Sequence, residues 1–303
     1  MHGRALALYV VCCVLWGSTW LVIKLGLEDL PPFLFGGVRM TIASAALAPL
    51  VFRHGLPRMG RTIWLWIASV GFLQLGLSYA GVFAAERFIS SGLTATLFCS
   101  YPIWTIALAH LMLPGERAGL IHAGSALLGI LGIVVLEAPL IGPVRLGPQI
   151  AAGMLLPLGS SICSAVGSVL LKRHLGRVPL TVNLWAQTLI GAGVLWLLHL
   201  ALGQGEAARW TPRAIGALLY LAIPGTVITF LALFWLIPRM PMALIGAIPL
   251  IDTLIALALG AAILGEPIGW RLLVGGALVL AGAALASRIR AEPEALPGLV
   301  QPP

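Results

Sequence analysis

The chain is a succession of apolar runs, each long enough to cross a bilayer. Ten stretches of about 20 residues can be marked off, at 5–25, 32–52, 62–84, 90–112, 118–137, 147–171, 180–202, 213–236, 241–263 and 268–287. A helix rising about 1.5 Å per residue needs roughly that length to span the hydrocarbon. Hydrophobic residues make up 60% of the chain and charged residues 9%, against about 25% charged in soluble domains. A water-soluble fold has no interior large enough to hide that much apolar surface, so lipid is its solvent. The sequence predicts an all-α integral membrane protein of ten transmembrane helices. The first run is too long for a cleavable signal peptide and lacks a small-residue cleavage site, so it reads as the first span. The tail 288–303, "RIRAEPEALPGLVQPP", is polar and proline-rich and reads as disordered.

The formal net charge is +8, but the basic residues occupy short breaks between apolar runs instead of a patch interleaved with aromatics, which argues against nucleic acid as a partner. In a membrane protein such charges set orientation. Alternate breaks carry 11 and 6 of the lysines and arginines, with Arg39 in neither set. The richer set includes both ends of the chain, so both termini are expected on the cytoplasmic side of a bacterial inner membrane. Cys12, Cys13, Cys99 and Cys163 lie inside apolar runs without metal-ligand spacing and read as small buried hydrophobes. No histidine pair stands at metal spacing, and no metal or other cofactor is expected.

Shifted by 148 positions, the chain echoes itself. "WLVIKLGLEDLPP" meets "SVLLKRHLGRVPL", placing Lys24 on Lys172 and Pro31 on Pro179; at a shift of 150, "GERAG" meets "GEPIG" and Gly132 meets Gly282. Two five-span repeats follow, at 5–137 and 147–287. Five is odd, so the second repeat enters the membrane inverted relative to the first. Inverted repeats are an architecture of secondary transporters, with the site between the halves near the bilayer midplane.

"LWGSTWLVIKLGLEDLPPFLFGGVRM", "AAERFISSGLTATLFCSYPIW" followed by "LPGE", and "WLIPRMPMALIGAIPLIDTLIALALGAAILGE" together resemble EamA-type transporters of the drug/metabolite transporter superfamily, over roughly residues 10–287. The resemblance implies ten helices, cytoplasmic termini and export or exchange of small metabolites, amino acids and cationic drugs among them, and does not select the substrate. The family pattern also carries an arginine at the place of Arg39. In the ninth span a proline usually follows an Asn or Glu; here Asp252 holds the polar position, Thr253 that of the proline, and Pro249 stands one turn earlier. The helix break is therefore expected to be displaced.

Arg39 lies seven residues into the second span, about 10 Å deep. A charge at depth costs several kcal/mol and marks a functional site by default. It either contacts cargo or ties its helix to carbonyls or a carboxylate. Asp252, about eleven residues into the ninth span, either neutralises a cationic group, carries a coupling proton or pairs with Arg39. Trp16, Trp20, Tyr79 and Tyr101 lie deeper than interfacial aromatics, and Tyr101 precedes the helix-breaking Pro102, so they line a pathway or simply pack. Gln74, Asn183, Gln187 and Ser164 bring polar atoms into spans and must find partners there. The substrate pathway is thus expected from Trp16, Arg39, Gln74, Tyr79, Tyr101, Asn183, Gln187 and Asp252. Glu86 and Arg87, at the outer end of the third span, read as a rim ion pair or gate. Glu116 and Glu266 follow glycines at helix starts, where the dipole favours an acid. Lys24 and Lys172 reach for opposite surfaces. Ser125 with Gly129 and Ala277 with Ala281 stand four apart on the spans that close each repeat, which then pack on each other or on a second protomer, in a monomer or weak homodimer.

The expected function is secondary transport, the export or exchange of a small organic metabolite (an amino-acid-like or related solute), by alternating access; coupling, if any, comes from protons, with Asp252 the best candidate, or from solute exchange. The chain has no P-loop for ATP. An intramembrane enzyme is the alternative, but GxSxG and HExxH are missing. A channel is the other, and would need a continuous polar stripe that the spans do not show.

Overall fold

The structure is a computed structural model describing residues 3–89, 91–116, 119–137, 148–202, 207–264 and 270–287. Glu266 and the tail 288–303 lie outside the described residues. Those residues fold into helices: α1 (Gly3–Leu27), α2 (Pro32–His54), α3 (Arg61–Ala85), α4 (Ser91–Phe98), α5 (Tyr101–Met112), α6 (Leu120–Glu137), α7 (Pro148–Leu175), α8 (Leu180–Leu202), α9 (Pro212–Arg239), α10 (Met242–Gly246), α11 (Ile248–Leu264) and α12 (Trp270–Ser287). Among them α1, α2, α3, α7, α8 and α9 are long and apolar enough to cross a membrane, and shorter apolar helices accompany them.

Two stretches expected as continuous spans are broken. α4 ends at Phe98 and α5 begins at Tyr101; α10 ends at Gly246 and α11 begins at Ile248. In each case a proline, Pro102 or Pro249, is the second residue of the restarting helix. A proline ring clashes with the carbonyl four residues back and has no N–H to give it, so a new helix starts where the old one cannot continue. Pro249 thus accounts for the displaced break, while Thr253 continues α11 and donates to the Pro249 carbonyl at 2.8 Å. The breaks at Cys99 and Ala247 stand 148 positions apart, and they meet in space. A Cβ on Gly246 would lie 2.6 Å from Thr105 Oγ1 and 3.2 Å from Pro102 Cα, and Cys99 Sγ donates to the Pro249 carbonyl at 3.6 Å.

α9 carries a different irregularity. From Ile223 to Ile228 it widens into a π-helical turn. Pro224 cannot donate to the preceding turn. The hydroxyls of Thr226 and Thr229 reach back five residues, to Leu221 O at 2.8 Å and Pro224 O at 2.7 Å. α3 widens in the same way at Gly71–Leu77.

α1 packs on α9 and α11, α2 on α8, α3 on α7 and α8, and α4 and α5 on α7. α6 and α12 run against each other along their length. Their contact is close enough to exclude side chains: a Cβ on Gly132 would lie 2.6 Å from Gly275 O and 2.7 Å from Val279 N, and one on Gly282 would lie 2.7 Å from Ser125 O and 2.8 Å from Gly129 N. Small residues let backbones approach where lipid supplies no hydrophobic drive between helices. A branched side chain at Gly132 or Gly282 has to part the two backbones, whereas Gly193 on α8 has open space around it. We expect Gly282→Leu to lower the melting temperature of the purified protein in detergent, in line with the roughly 1–3 kcal/mol cost of overpacking, and Gly193→Ala to leave it unchanged or slightly raised.

Candidate functional site

Arg39 is 1% exposed, so its guanidinium has to find its partners inside the bundle. The π-helical turn of α9 supplies them. Nε donates to Thr226 Oγ1 at 3.0 Å, and Nη2 donates to the Gly225 carbonyl at 3.2 Å and to Tyr79 OH at 3.4 Å. The guanidinium carbon also sits 4.9 Å from the centre of the Tyr79 ring, within cation–π range. Trp16 Nε1 donates to the same Gly225 carbonyl at 3.3 Å, so one widened turn orients both an arginine and an indole. Gly225 leaves room for this: a Cβ there would lie 3.0 Å from Thr19 Cγ2 and 3.5 Å from Arg39 Nη2. Arg39 Nη1 is buried and, among the described residues, has no hydrogen-bond partner.

Asp252, on α11, is 4% exposed. Its Oδ1 accepts from Trp20 Nε1 at 3.3 Å and from Thr253 Oγ1 at 3.4 Å. Arg39 and Asp252 do not pair with each other. Both line a cavity of about 90 Å³, together with Trp16, Trp20, Gln74, Tyr79, Phe98, Tyr101, Ser164 and Phe230. Since a buried water needs roughly 10–15 Å³ by this kind of measure, the space takes a few waters or part of a small solute. Gln74 Nε2 donates to Ser168 Oγ at 3.1 Å, and Tyr101 OH donates to the same oxygen at 2.8 Å. Gln74 Oε1 is left buried without a partner. The cavity therefore offers a cationic donor from Arg39, an amide acceptor from Gln74 and a carboxylate from Asp252, between aromatic walls.

Two of the residues expected on the pathway sit elsewhere. Gln187 Nε2 donates to Asn183 Oδ1 at 2.7 Å, one turn away on α8, and Gln187 packs on Gly71 of α3. Glu86 and Arg87 line a separate, water-facing vestibule of about 350 Å³ with Leu27, Glu28, Asp29 and Arg209. The two spaces are linked along α3. Gln74, Ser78 and Val82 face the cavity, and Glu86, the next residue at four-residue spacing, faces the vestibule. Val82 and Ile23, both buried, line the cavity and not the vestibule.

Across that vestibule the turn between α1 and α2 is clamped to the start of α9. Asp29 Oδ2 accepts from Thr211 Oγ1 at 2.7 Å and from Arg213 Nε at 2.9 Å, Arg209 Nη2 lies 3.5 Å from Asp29 Oδ1, and Arg213 also pairs with Glu28. At the other end of the bundle Lys172 pairs with Glu116, whose Oε2 accepts from Met242 N at 2.9 Å. Glu116 thus caps α10, a helix distant in sequence.

Sequence reasoning missed Thr226 and Gly225, the residues that hold Arg39. The available signal was Pro224, a proline in the middle of an apolar run.

The EamA-like transporter family matches this chain twice, over residues 3–137 and 151–288. The chain belongs to the EamA-like transporter family. It is a membrane transporter. Relatives within reach include "Uncharacterized inner membrane transporter YedA" of Escherichia coli (strain K12), 31% identical over 273 residues that cover 88% of this chain and 83% of that protein. "Uncharacterized transporter YoaV" of Bacillus subtilis (strain 168) is 24% identical over 271 residues, 89% of this chain and 91% of that one. "Probable amino-acid metabolite efflux pump" of Salmonella typhimurium is 28% identical over 290 residues, 91% of this chain and 92% of that one. A crystal structure at 22% identity superposes with a TM-score of 0.79, covering 95% of this chain and 98% of that chain, which shows the same fold. The EamA chain described here therefore shares about nine-tenths of its length with these transporters.

The vestibule clamp carries a pH signature. The Thr211 hydroxyl and then the Arg213 guanidinium hold the Asp29 carboxyl below its ordinary value. A depressed carboxyl contributes stability above its unfolded value, near pH 4, and loses it as pH falls through the folded one. Asp29→Asn should therefore melt lower than the parent at pH 7, with the gap closing as the buffer is taken below about pH 4; a gap independent of pH would show that the carboxylate charge is not what the clamp uses.

Proposed function

We propose that the chain is a secondary transporter that moves a small zwitterionic, amino-acid-like solute by alternating access, with the cavity between Arg39 and Asp252 as its binding site. One observation carries the reading. Arg39 Nη1, a cationic donor, and Gln74 Oε1, an acceptor, are buried without partners on the wall of a cavity that also holds Asp252. Unsatisfied polar groups in a low-dielectric interior cost about 1–3 kcal/mol each, more when charged, a cost that water or a ligand in the cavity removes. A carboxylate on Arg39 and an ammonium between Asp252 and Gln74 would complete both. The aromatic walls would then contact the solute's apolar part. The Salmonella relative, a "Probable amino-acid metabolite efflux pump", agrees with an amino-acid-like cargo.

The moving parts in this reading are two inverted five-span repeats, 5–137 and 147–287, with α4–α5 and α10–α11 each counted as one broken span, and with both termini in the cytoplasm of a bacterial inner membrane. Three features support it. The helix breaks recur at the offset that relates Lys24 to Lys172. The N–H of Phe35 bonds to the Pro31 carbonyl as that of Asn183 bonds to the Pro179 carbonyl. Gly132 meets residues 275 and 279 while Gly282 meets residues 125 and 129, the reciprocity that a two-fold relation between repeats produces. The Asp29 clamp and the Glu116–Lys172 pair join opposite repeats at opposite ends, so opening either end means breaking one of them. Asp252 carries the coupling proton in this scheme.

The test is efflux of radiolabelled amino acids from loaded vesicles containing the purified protein. Arg39→Gln should reduce transport at sub-saturating solute by about 10- to 100-fold, the value of a hydrogen bond to a charged group, and Arg39→Lys should restore part of it. Asp252→Asn should transport poorly and lose its response to pH. Full, pH-responsive transport by both Arg39→Gln and Asp252→Asn would remove this cavity from the mechanism.

A further inference from the structure

The end of the bundle that carries Lys172 also carries an arrangement that neither the transport path nor the fold requires. Arg4, on the first turn of α1, and Arg239, at the end of α9, both stack on the indole of Trp235. Their guanidinium carbons lie 5.0 Å and 4.4 Å from its ring centre. The two cations are therefore at most the sum of those distances, 9.4 Å, apart. Arg239 Nη1 also donates to the Trp235 carbonyl at 2.9 Å, which fixes its direction. Among the described residues neither arginine has an acidic partner. Glu116, an acid at this end among the described residues, is already engaged by Lys172 and by Met242 N. Close by, Gly176 packs on Pro238, where a Cβ would lie 3.4 Å from that ring, and exposed Arg177 follows Gly176 in the chain.

An indole face attracts a cation, and two exposed guanidinium groups held at one ring leave a local excess of positive charge that an anion would offset. Guanidinium forks match phosphate oxygens in a way that ammonium groups do not. Trp235 stands at the end of a membrane span, the depth at which tryptophan and lipid headgroups meet. Further into the bilayer, Leu8 and Leu231 stand one turn beyond Arg4 and Trp235 and are only half-buried, so apolar surface continues below the charges. Basic pockets of this kind between spans bind anionic headgroups.

We propose that Arg4, Trp235 and Arg239 form a binding site for the phosphodiester headgroup of an anionic phospholipid, with an acyl chain lying against the half-buried Leu8 and Leu231 of α1 and α9. The site rests on membrane residence alone and is independent of the solute, the coupling ion and the direction of transport. Because α1 lines the central cavity through Trp16 and Trp20 while α9 does so through Phe230 and Leu233, a lipid seated here holds together two helices that form the cavity wall.

The full chain, purified in mild detergent, is titrated with short-chain phosphatidylglycerol, with phosphatidylethanolamine and with inorganic phosphate, and bound lipid is read by native mass spectrometry alongside the melting temperature. Phosphatidylglycerol is expected to bind and to raise the melting temperature, with the other two ligands well behind. Arg4→Gln/Arg239→Gln should weaken phosphatidylglycerol binding by roughly tenfold or more, given the contribution of each basic residue at an anionic surface. Arg53→Gln, which changes a charge on α2, should leave it intact. If the double variant does not fold, Arg4→Gln alone is read in the same assay and should show a weaker but distinct loss. Equal binding by parent and variant overturns the site. An equal response to inorganic phosphate overturns a lipid as its occupant.

Discussion

Arg39 is a guanidinium in a part of the chain surrounded by lipid, and the surrounding structure is arranged to keep it charged and pointed in one direction. It could have been neutralised by a carboxylate, and Asp252 lies on the same cavity. The fold instead satisfies it with neutral oxygens: a threonine hydroxyl, a tyrosine hydroxyl and a carbonyl from a widened turn of α9. Neutral partners solvate a charge without cancelling it. That leaves one guanidinium nitrogen and a full positive charge facing a cavity where the effective dielectric is low. The same choice frees Asp252, which accepts only from neutral donors, Trp20 and Thr253. A direct ion pair between the two would have been worth less than it seems after desolvation, and it would have filled the space with the protein's own atoms.

The widened turn connects the fold to this electrostatic arrangement. In an ordinary α-helix each carbonyl accepts from the N–H four residues on, and the Gly225 carbonyl would have little to offer a neighbour. Pro224 and the back-bonding hydroxyls of Thr226 and Thr229 shift that pattern by one residue. π-bulges of this kind recur at functional sites because they present backbone groups that a regular helix consumes. Gly225 completes the device, since a Cβ there would crowd Thr19 Cγ2 at 3.0 Å and reach contact with Arg39 Nη2 at 3.5 Å.

The sequence made part of this readable and left part obscure, for physical reasons. Apolar runs of the right length report spans directly, because lipid tolerates few alternatives. Arg39 and Asp252 stood out because charge in such a run is costly. Which side of a helix a polar residue faces is another matter. Gln74 and Gln187 look alike in sequence, yet Gln74 lines the cavity and Gln187 bonds to Asn183 along its own helix. That difference is a rotation of the helix about its axis, and a uniformly apolar helix has no amphipathic stripe to fix the rotation. The breaks were better marked, by Pro102 and Pro249, because a missing N–H acts locally. The clamp at Asp29 was unreadable: it joins residues more than 180 positions apart, and nothing in either segment names the other.

The seam between α6 and α12 has a mechanical meaning. Where interlocking side chains separate two helices, small relative displacements are absorbed by rotamer changes. Where main chain touches main chain, as at Gly132 and Gly282, no such cushion exists. Sliding along the axis would drive carbonyls and amides into one another, while rolling about the line of touch disturbs little. The seam therefore resists translation more than rotation, the property that a fulcrum would need if the repeats rock against each other.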